Sequence, residues 1–277
     1  MNIYMSQIKP YLGNVEKNLE LHEAEINKAI SEKCDLIVFP ELSLTGYYLR
    51  DLVSEVSIRL NSPFIKIFEN YSESIAIIIG FVLEDENHNF FNAAAYFENG
   101  LLKHIHKKVY LPNYTMFEES RYLASGSEFV SFDILGQKSG ILICEDALHL
   151  SSLYVYSLQG VKNIIIISNS PARGINKDNF YSQELWYNSI KFIATNMTVN
   201  TVFVNRVGVE DGITFWGGSI CINSLGEIVA RCDLINESNT IAVIEESVIR
   251  RSRINSPFYR DEDLSVVKNY LQRVGLL

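Results

Sequence analysis

Much that would place a chain outside ordinary globular enzymes is missing from this sequence of 277 residues. With only 6 Pro and 15 Gly, it has neither a collagen repeat nor the Pro/Gly-rich composition of a disordered segment. Hydrophobic residues make up 47% and charged residues 21%, the balance of a chain that buries a core. The longest uninterrupted apolar run, Ile75 to Leu83, falls far short of the ~20 residues a membrane helix needs. The first residues, with Asn2, Ser6, Gln7 and Lys9, lack a secretory apolar core. Cysteine is scarce, at 4 residues with no CxxC spacing, so neither a disulfide framework nor a thiolate zinc or redox motif is indicated. A chain of this length buries roughly three quarters of its unfolded surface and needs no such staples. Positive charge is short too: 24 Lys and Arg face 33 Asp and Glu, a net charge of -9, which argues against nucleic-acid partners and membrane surfaces. No Gly-rich loop with a phosphate-binding Lys occurs, so no nucleotide cofactor is implied. These absences leave a soluble, cytosolic small-molecule enzyme as the leading expectation, with an acidic scaffold or interaction module as the alternative class.

Strand-like and helix-like segments alternate along the chain. Asn2 to Ile8 and Asp35 to Phe39 are short β-prone runs, and between them Val15, Leu19, Ile26 and Ile30 fall near one face of a helix that Asn14 caps. Ser74 to Leu83, Phe90 to Phe97 and Leu101 to Lys107 read as antiparallel strands, the last two joined by an Asn99-Gly100 hairpin turn. Gly140 to Cys144, the helix-like Ala147 to Gln159, Asn163 to Ser168 and the helical pattern Phe180 to Thr198 restore the strand and helix alternation. Val202 to Val207, Thr214 to Ile222, Glu227 to Cys232 and Thr240 to Glu245 read as a closing series of strands. The pattern predicts an α/β protein with two mixed sheets in one domain, residues 1–277. A basic stretch with Arg250, Arg251, Arg253 and Arg260 precedes an amphipathic helix at Leu264 to Val274, so about 246–277 reads either as an arm for an oligomer contact or as solvated charged surface. No internal repeat or linker is evident.

Few residues invite a chemical reading. Cys144 ends the apolar run Gly140-Ile141-Leu142-Ile143 and precedes Glu145 and Asp146 at a strand-to-helix junction. The helix N-terminus favours a thiolate there and the two carboxylates oppose it. Local sequence leaves both a nucleophile and a small buried hydrophobe open. Glu41, in Phe39-Pro40-Glu41, stands just past a buried strand, where α/β proteins collect ligand groups. Lys108 and Glu119 also follow a strand, and each alone is an ordinary solvated charge. His104 and His106 share one strand face without a third metal ligand, a position where histidine is commonly a surface residue, and no metal is expected. Cys34, Cys221 and Cys232 read as spare thiols, and Trp216 and Phe215 as core residues or a pocket rim.

Taken in order, Phe39-Pro40-Glu41, Lys108-Val109-Tyr110-Leu111-Pro112 and Ile143-Cys144-Glu145-Asp146 resemble the nitrilase superfamily of carbon-nitrogen hydrolases. The likeness is closest to the glutaminase-type domain of glutamine-dependent NAD synthetase. It runs on through Thr45-Gly46-Tyr47, Asp51-Leu52, Asn113-Tyr114, Phe117-Glu118-Glu119 with Arg121, Ser170-Pro171 and Gly217-Gly218-Ser219, nearly the whole chain. The resemblance implies a four-layer αββα sandwich and a Cys-Glu-Lys triad of Cys144, Glu41 and Lys108, with Glu119 as a second glutamate that orients Lys108 or the substrate amide. In that scheme Cys144 forms a thioester, Glu41 moves the protons, and Lys108 opposes charge on the carbonyl oxygen. Lys108 would also offset Glu145 and Asp146 and so support the thiolate.

Two departures from the family stand out. Leu148 occupies a position where a Trp is frequent, which affects the pocket wall. No ATP-pyrophosphatase signature of the Ser-Gly-Gly-x-Asp-Ser kind occurs, so ammonia is expected to be released free or passed to a separate ammonia-accepting enzyme. Tyr114, Phe117, Ser170 and Arg173 are the candidate substrate-binding residues, and the planar fork of Arg173 suits a substrate carboxylate. The substrate class implied is a small ω-amide, glutamine or a relative. The alternatives are a nitrile hydrolase or N-acyltransferase using the same triad, or a silent binding subunit. The family's habit implies a homo-oligomer and no cofactor.

Overall fold

The computed structural model describes residues 1–176 and 179–276. Two six-stranded mixed sheets stack face to face between outer layers of helices. In the first sheet the order is Ser238–Val243, Asn2–Gln7, Leu36–Val38, Ala76–Glu84, Phe90–Glu98 and Leu101–Lys107. The second runs Phe132–Ile134, Gln137–Ile143, Asn163–Ser168, Asn200–Asn205, Ile220–Ile222 and Ile228–Arg231. Each has three parallel central strands, one antiparallel neighbour on one side and a two-strand antiparallel extension on the other. The chain therefore repeats its topology without repeating its sequence, because the repeat lies in strand order and not in side chains.

Period-2 alternation divides the first sheet between two cores. Ile3, Met5, Leu36, Val38, Ile78 and Tyr96 point into the intersheet core with Ile141, Ile143, Ile165 and Val202 of the second sheet. Tyr4, Ile37, Ile77, Ile79 and Phe97 point outward onto the helices Val15–Ser31 and Pro63–Tyr71, where Ile26, Ala29 and Phe68 are fully or almost fully buried. Asn14 caps the first of these helices by accepting a hydrogen bond from Lys17 N at 3.0 Å, which fixes where it begins. Leu150–Gln159 and Tyr181–Asn196 cover the other sheet through Leu153, Tyr156, Trp186 and Ile190. The strands nearest the middle carry apolar side chains on both faces, as parallel strands covered on both sides must.

The last strand of the closing series crosses back to the first sheet and pairs antiparallel with its strand Asn2–Gln7, Asn2 against Val243 through Gln7 against Ser238. One sequence expectation changes. The run Thr214 to Ile222 breaks at Gly217 and Gly218, with φ of 67° and 61°, so that Ile213–Trp216 pairs with Val207–Glu210 while Ile220–Ile222 joins the main sheet. At the C-terminal end, Glu246–Asn255 docks through Ile249 and Ser252, and Arg253 donates to the carbonyls of Val161 and Thr198. The following helix, Leu264–Arg273, buries no residue. Among the described residues no helix is long and apolar enough to cross a membrane.

Candidate active site

The loops at the carboxyl ends of the central strands of both sheets converge, the position where open α/β sheets bind ligands. Glu41 follows Leu36–Val38, and its backbone passes so close to the neighbouring strand that a Cβ on Gly80 would sit 2.4 Å from Leu42 N and 2.7 Å from Pro40 O. Only glycine permits that approach. Lys108 follows Leu101–Lys107, Glu119 opens the short helix Glu119–Tyr122, and Cys144 follows Gln137–Ile143 as the first residue of a 3₁₀ turn, Cys144–Leu148.

Three of these form one buried ionic cluster. Lys108 Nζ, with no exposed surface, donates to Glu41 Oε1 and to Glu119 Oε1, each at 2.8 Å. Glu41, equally buried, also accepts from Asn92 Nδ2 at 2.7 Å and from the Asn169 backbone N–H at 2.7 Å. Tyr47 donates its hydroxyl to Glu119 Oε1 at 2.6 Å. Burial favours the neutral form of an acid, and it raises Glu119 from its ordinary 4.5 to about 7 against the opposing pull of Lys108. Lys108 is desolvated as well, but Glu119 and Glu41 outweigh that and hold its ammonium well above the usual range.

Cys144 is almost fully buried beside this cluster, and Ser168 Oγ donates to its Sγ at 3.4 Å. Its φ of 47° is unusual for a residue with a Cβ and turns the side chain sharply off the strand end. Burial raises its pKa, the Glu41 charge raises it further, and Lys108 opposes both. The expectation of a resting thiolate supported by Lys108 is thereby corrected. Lys108 is engaged by Glu41 and Glu119, while the carboxylates beside the thiol have other partners: Glu145 accepts from Tyr114 OH, and Asp146 from His106 and backbone N–H groups. Burial and the Glu41 charge thus favour the neutral thiol at Cys144.

The pH behaviour follows with a definite sign. A carboxyl whose folded pKa lies above its unfolded one stabilises the fold fully below the unfolded value, and that contribution is lost as pH rises through the folded one. Glu119 should therefore make the protein less stable between about 4.5 and about 7, whereas the raised Lys108 keeps its contribution through neutral pH. Thermal unfolding from pH 5 to 8 checks this: Glu119→Gln should flatten the fall in Tm expected of the parent, and an unchanged slope contradicts the assignment.

Three of the four candidate substrate residues gather together, next to Glu145, the neighbour of Cys144, through Tyr114. Tyr114 and Phe117 line a cavity of about 370 Å³ with Asn113, Thr115, Glu118 and Arg121. The Arg173 guanidinium lies 5.8 Å from the Tyr114 ring centre and 5.4 Å from that of Phe117, and its Nε has no hydrogen-bond partner. Ser170 is instead buried, accepting from Trp216 Nε1 at 3.0 Å. Trp216 and Phe215 are core residues, 0% and 1% exposed. A larger cavity, about 1080 Å³, lies away from the thiol beside His104, His106 and Lys107.

Several neighbours of the cluster carry little signal in the sequence. Asn92 lies mid-strand and Tyr47 in a loop, and neither position differs on paper from a structural one. His106 is no surface residue: it is 3% exposed, because the strand face it shares with His104 turns inward, and it meets Asp146 Oδ2 at 2.8 Å. The presence of a polar residue on a buried strand face was the only available signal.

The sequence model of the carbon-nitrogen hydrolase family matches residues 3–253. Glutamine-dependent NAD(+) synthetase of Acinetobacter baylyi is 32% identical over 237 residues, 85% of this chain but only 42% of that protein. The chain thus spans less than half the length of that relative. The solved synthetase of Acinetobacter baumannii superposes with a TM-score of 0.80 at 31% identity, over 90% of this chain and 46% of the other. A carbon-nitrogen hydrolase from Helicobacter pylori G27 shares the fold over 98% of both chains, with a TM-score of 0.85 at 22% identity. By sequence, topology and extent of match, the chain belongs to the carbon-nitrogen hydrolase family.

Proposed function

We propose that this protein hydrolyses a small carboxylated amide, an ω-amide such as glutamine, through a thioester on Cys144. The observation that carries the reading is the buried Glu41–Lys108–Glu119 cluster gathered beside a thiol on a strained turn. An amide carbon is a poor electrophile, and a soft nucleophile splits its hydrolysis into two smaller barriers. Glu41 takes the Cys144 proton as sulfur attacks the carbonyl carbon, then delivers it to the departing nitrogen, so ammonia leaves and an acyl thioester remains. Glu41 next takes a proton from water; hydroxide adds to the thioester, and the carboxylic acid departs as the thiol is restored. Because burial keeps the resting thiol neutral, proton transfer and attack are coupled, and the nucleophile is generated only with substrate in place. Lys108 opposes the negative charge on the tetrahedral oxygen, and Glu119, held by Tyr47, fixes the Lys108 ammonium.

The group around Arg173 suggests the substrate class. Arg173 offers a planar cation with an unpartnered Nε beside the paired rings of Tyr114 and Phe117, suited to a carboxylate. Glu145, oriented by Tyr114 OH at 2.7 Å, offers an acceptor for an ammonium group. A zwitterionic ω-amide satisfies both. Ammonia release across a panel of amides tests the reading: carboxylated ω-amides turn over and neutral aliphatic amides trail. Arg173→Ala should raise KM for carboxylated amides by roughly 10- to 100-fold, the worth of a charge-assisted pair, with little effect on neutral ones. Equal effects on both would remove Arg173 from substrate recognition.

A further inference from the structure

The two halves of the proposed machinery stand on different sheets. Lys108 ends an edge strand of the first and Cys144 ends a central strand of the second. Beside Glu41, which bonds Lys108 and the Asn169 N–H, a second carboxylate spans the two sheets. Asp146, fully buried and two residues past Cys144, accepts at Oδ1 from the backbone N–H of Val109 at 3.0 Å and Tyr110 at 2.9 Å, the two residues after Lys108. Its Oδ2 accepts from Ile143 N at 3.2 Å, on the strand that delivers Cys144, and pairs with His106 Nε2 at 2.8 Å. His106 sits two residues before Lys108, and its ring stacks on Phe129 at 5.7 Å. Among the described residues the only side-chain donor to the Asp146 carboxylate is thus supplied by the strand that leads to the lysine.

We infer that His106 is a positioning residue: through Asp146 it sets the spacing and orientation of the Cys144 turn relative to Lys108. The inference rests on the reading of Cys144 as nucleophile and Lys108 as the cation opposing it. Three features argue for more than filling of space. Backbone N–H groups alone would leave Oδ2 with one long bond, and a buried carboxylate short of donors relaxes toward whichever one remains. The strained φ of Cys144 persists only where its surroundings over-determine it, and Asp146 holds the residue before it through Ile143 N. His106 touches no member of the Glu41–Lys108–Glu119 cluster by hydrogen bond, so its effect travels through geometry rather than through the chemistry itself.

Three variants test this against carboxylated ω-amides, with Tm recorded for each. His106→Met keeps volume and removes the donor, and His106→Gln keeps an N–H where Nε2 stands. A misplacement of about 1 Å costs on the order of 100-fold, so His106→Met should lower kcat roughly 10- to 100-fold with KM nearly unchanged, and His106→Gln should recover most of it. His106→Phe keeps the ring on Phe129 and removes the donor, and it should match the Met variant, which keeps the test open if His106→Met does not fold. A folded Met or Phe variant with parental kcat overturns the inference, as does a Gln variant that falls as far as Met. Cys144→Ala serves as control: turnover by that protein defeats the nucleophile reading itself, whereas its inactivity beside a fully active His106→Met defeats only the positioning role.

Discussion

Cys144→Ala should lose amide turnover by at least about 10⁴-fold while remaining folded, since removing the nucleophile of a covalent mechanism costs nearly the whole of it. The substitution deletes one sulfur in a site where the thiol's hydrogen-bond partner is Ser168, at 3.4 Å. The stability cost is therefore small, roughly 1 kcal/mol by the scale of single-group core truncations. Loss of activity with an almost unchanged Tm separates chemistry from folding. The other buried cysteines supply the comparison. Cys34, Cys221 and Cys232 are free thiols outside the cluster, and Ala at any of them should leave kcat as it is. Ammonia assays and thermal melts on these four proteins settle the assignment, and an active Cys144→Ala protein would contradict it.

Lys108→Met is the second large effect, and it should fall on stability and catalysis together. Among the described residues Lys108 is the only cation that bonds Glu41 and Glu119, both buried. Taking it away leaves two carboxylates facing each other in low dielectric, and breaking a buried pair in this way costs about 3–5 kcal/mol. The developing oxyanion loses its opposing charge as well, a further loss in kcat of roughly 10²–10³. The two contributions separate in the double variant. Adding Glu119→Gln to Lys108→Met removes one unpaired carboxylate, so Tm recovers in part while kcat stays low. Recovery of kcat with Tm would mean that Lys108 serves only the fold.

How much of this was legible in the sequence depends on whether a residue's role shows in its own neighbourhood. The strands and helices carry period-2 and 3.6-residue patterns locally, and Asn163–Ser168 and Leu101–Lys107 were readable to the residue. The crossing of Ser238–Val243 to the first sheet was not, because nothing within a strand names its partner. Glu41, Lys108 and Cys144 stand out in the sequence because each follows a strand end within a distinctive motif, and the fold brings Glu41, Lys108 and Glu119 into direct contact. The protonation state of the thiol escaped, since it is decided by burial and by Glu41, 103 positions away. His106 and Asp146 escaped for a related reason. A histidine on an edge strand and an aspartate after the thiol become a pair only when two sheets stack. Tyr47, too, acquires its meaning from Glu119, to which it donates across 72 positions of sequence.

The most direct measurement is intact-mass analysis of the protein mixed with a carboxylated ω-amide and quenched in acid during turnover, followed by peptide mapping. The account predicts one acyl group, bound through Cys144 as a thioester, with ammonia released in step and no adduct on Cys144→Ala. Ammonia release by the Cys144→Ala protein, or an acyl group on any other residue, would contradict it.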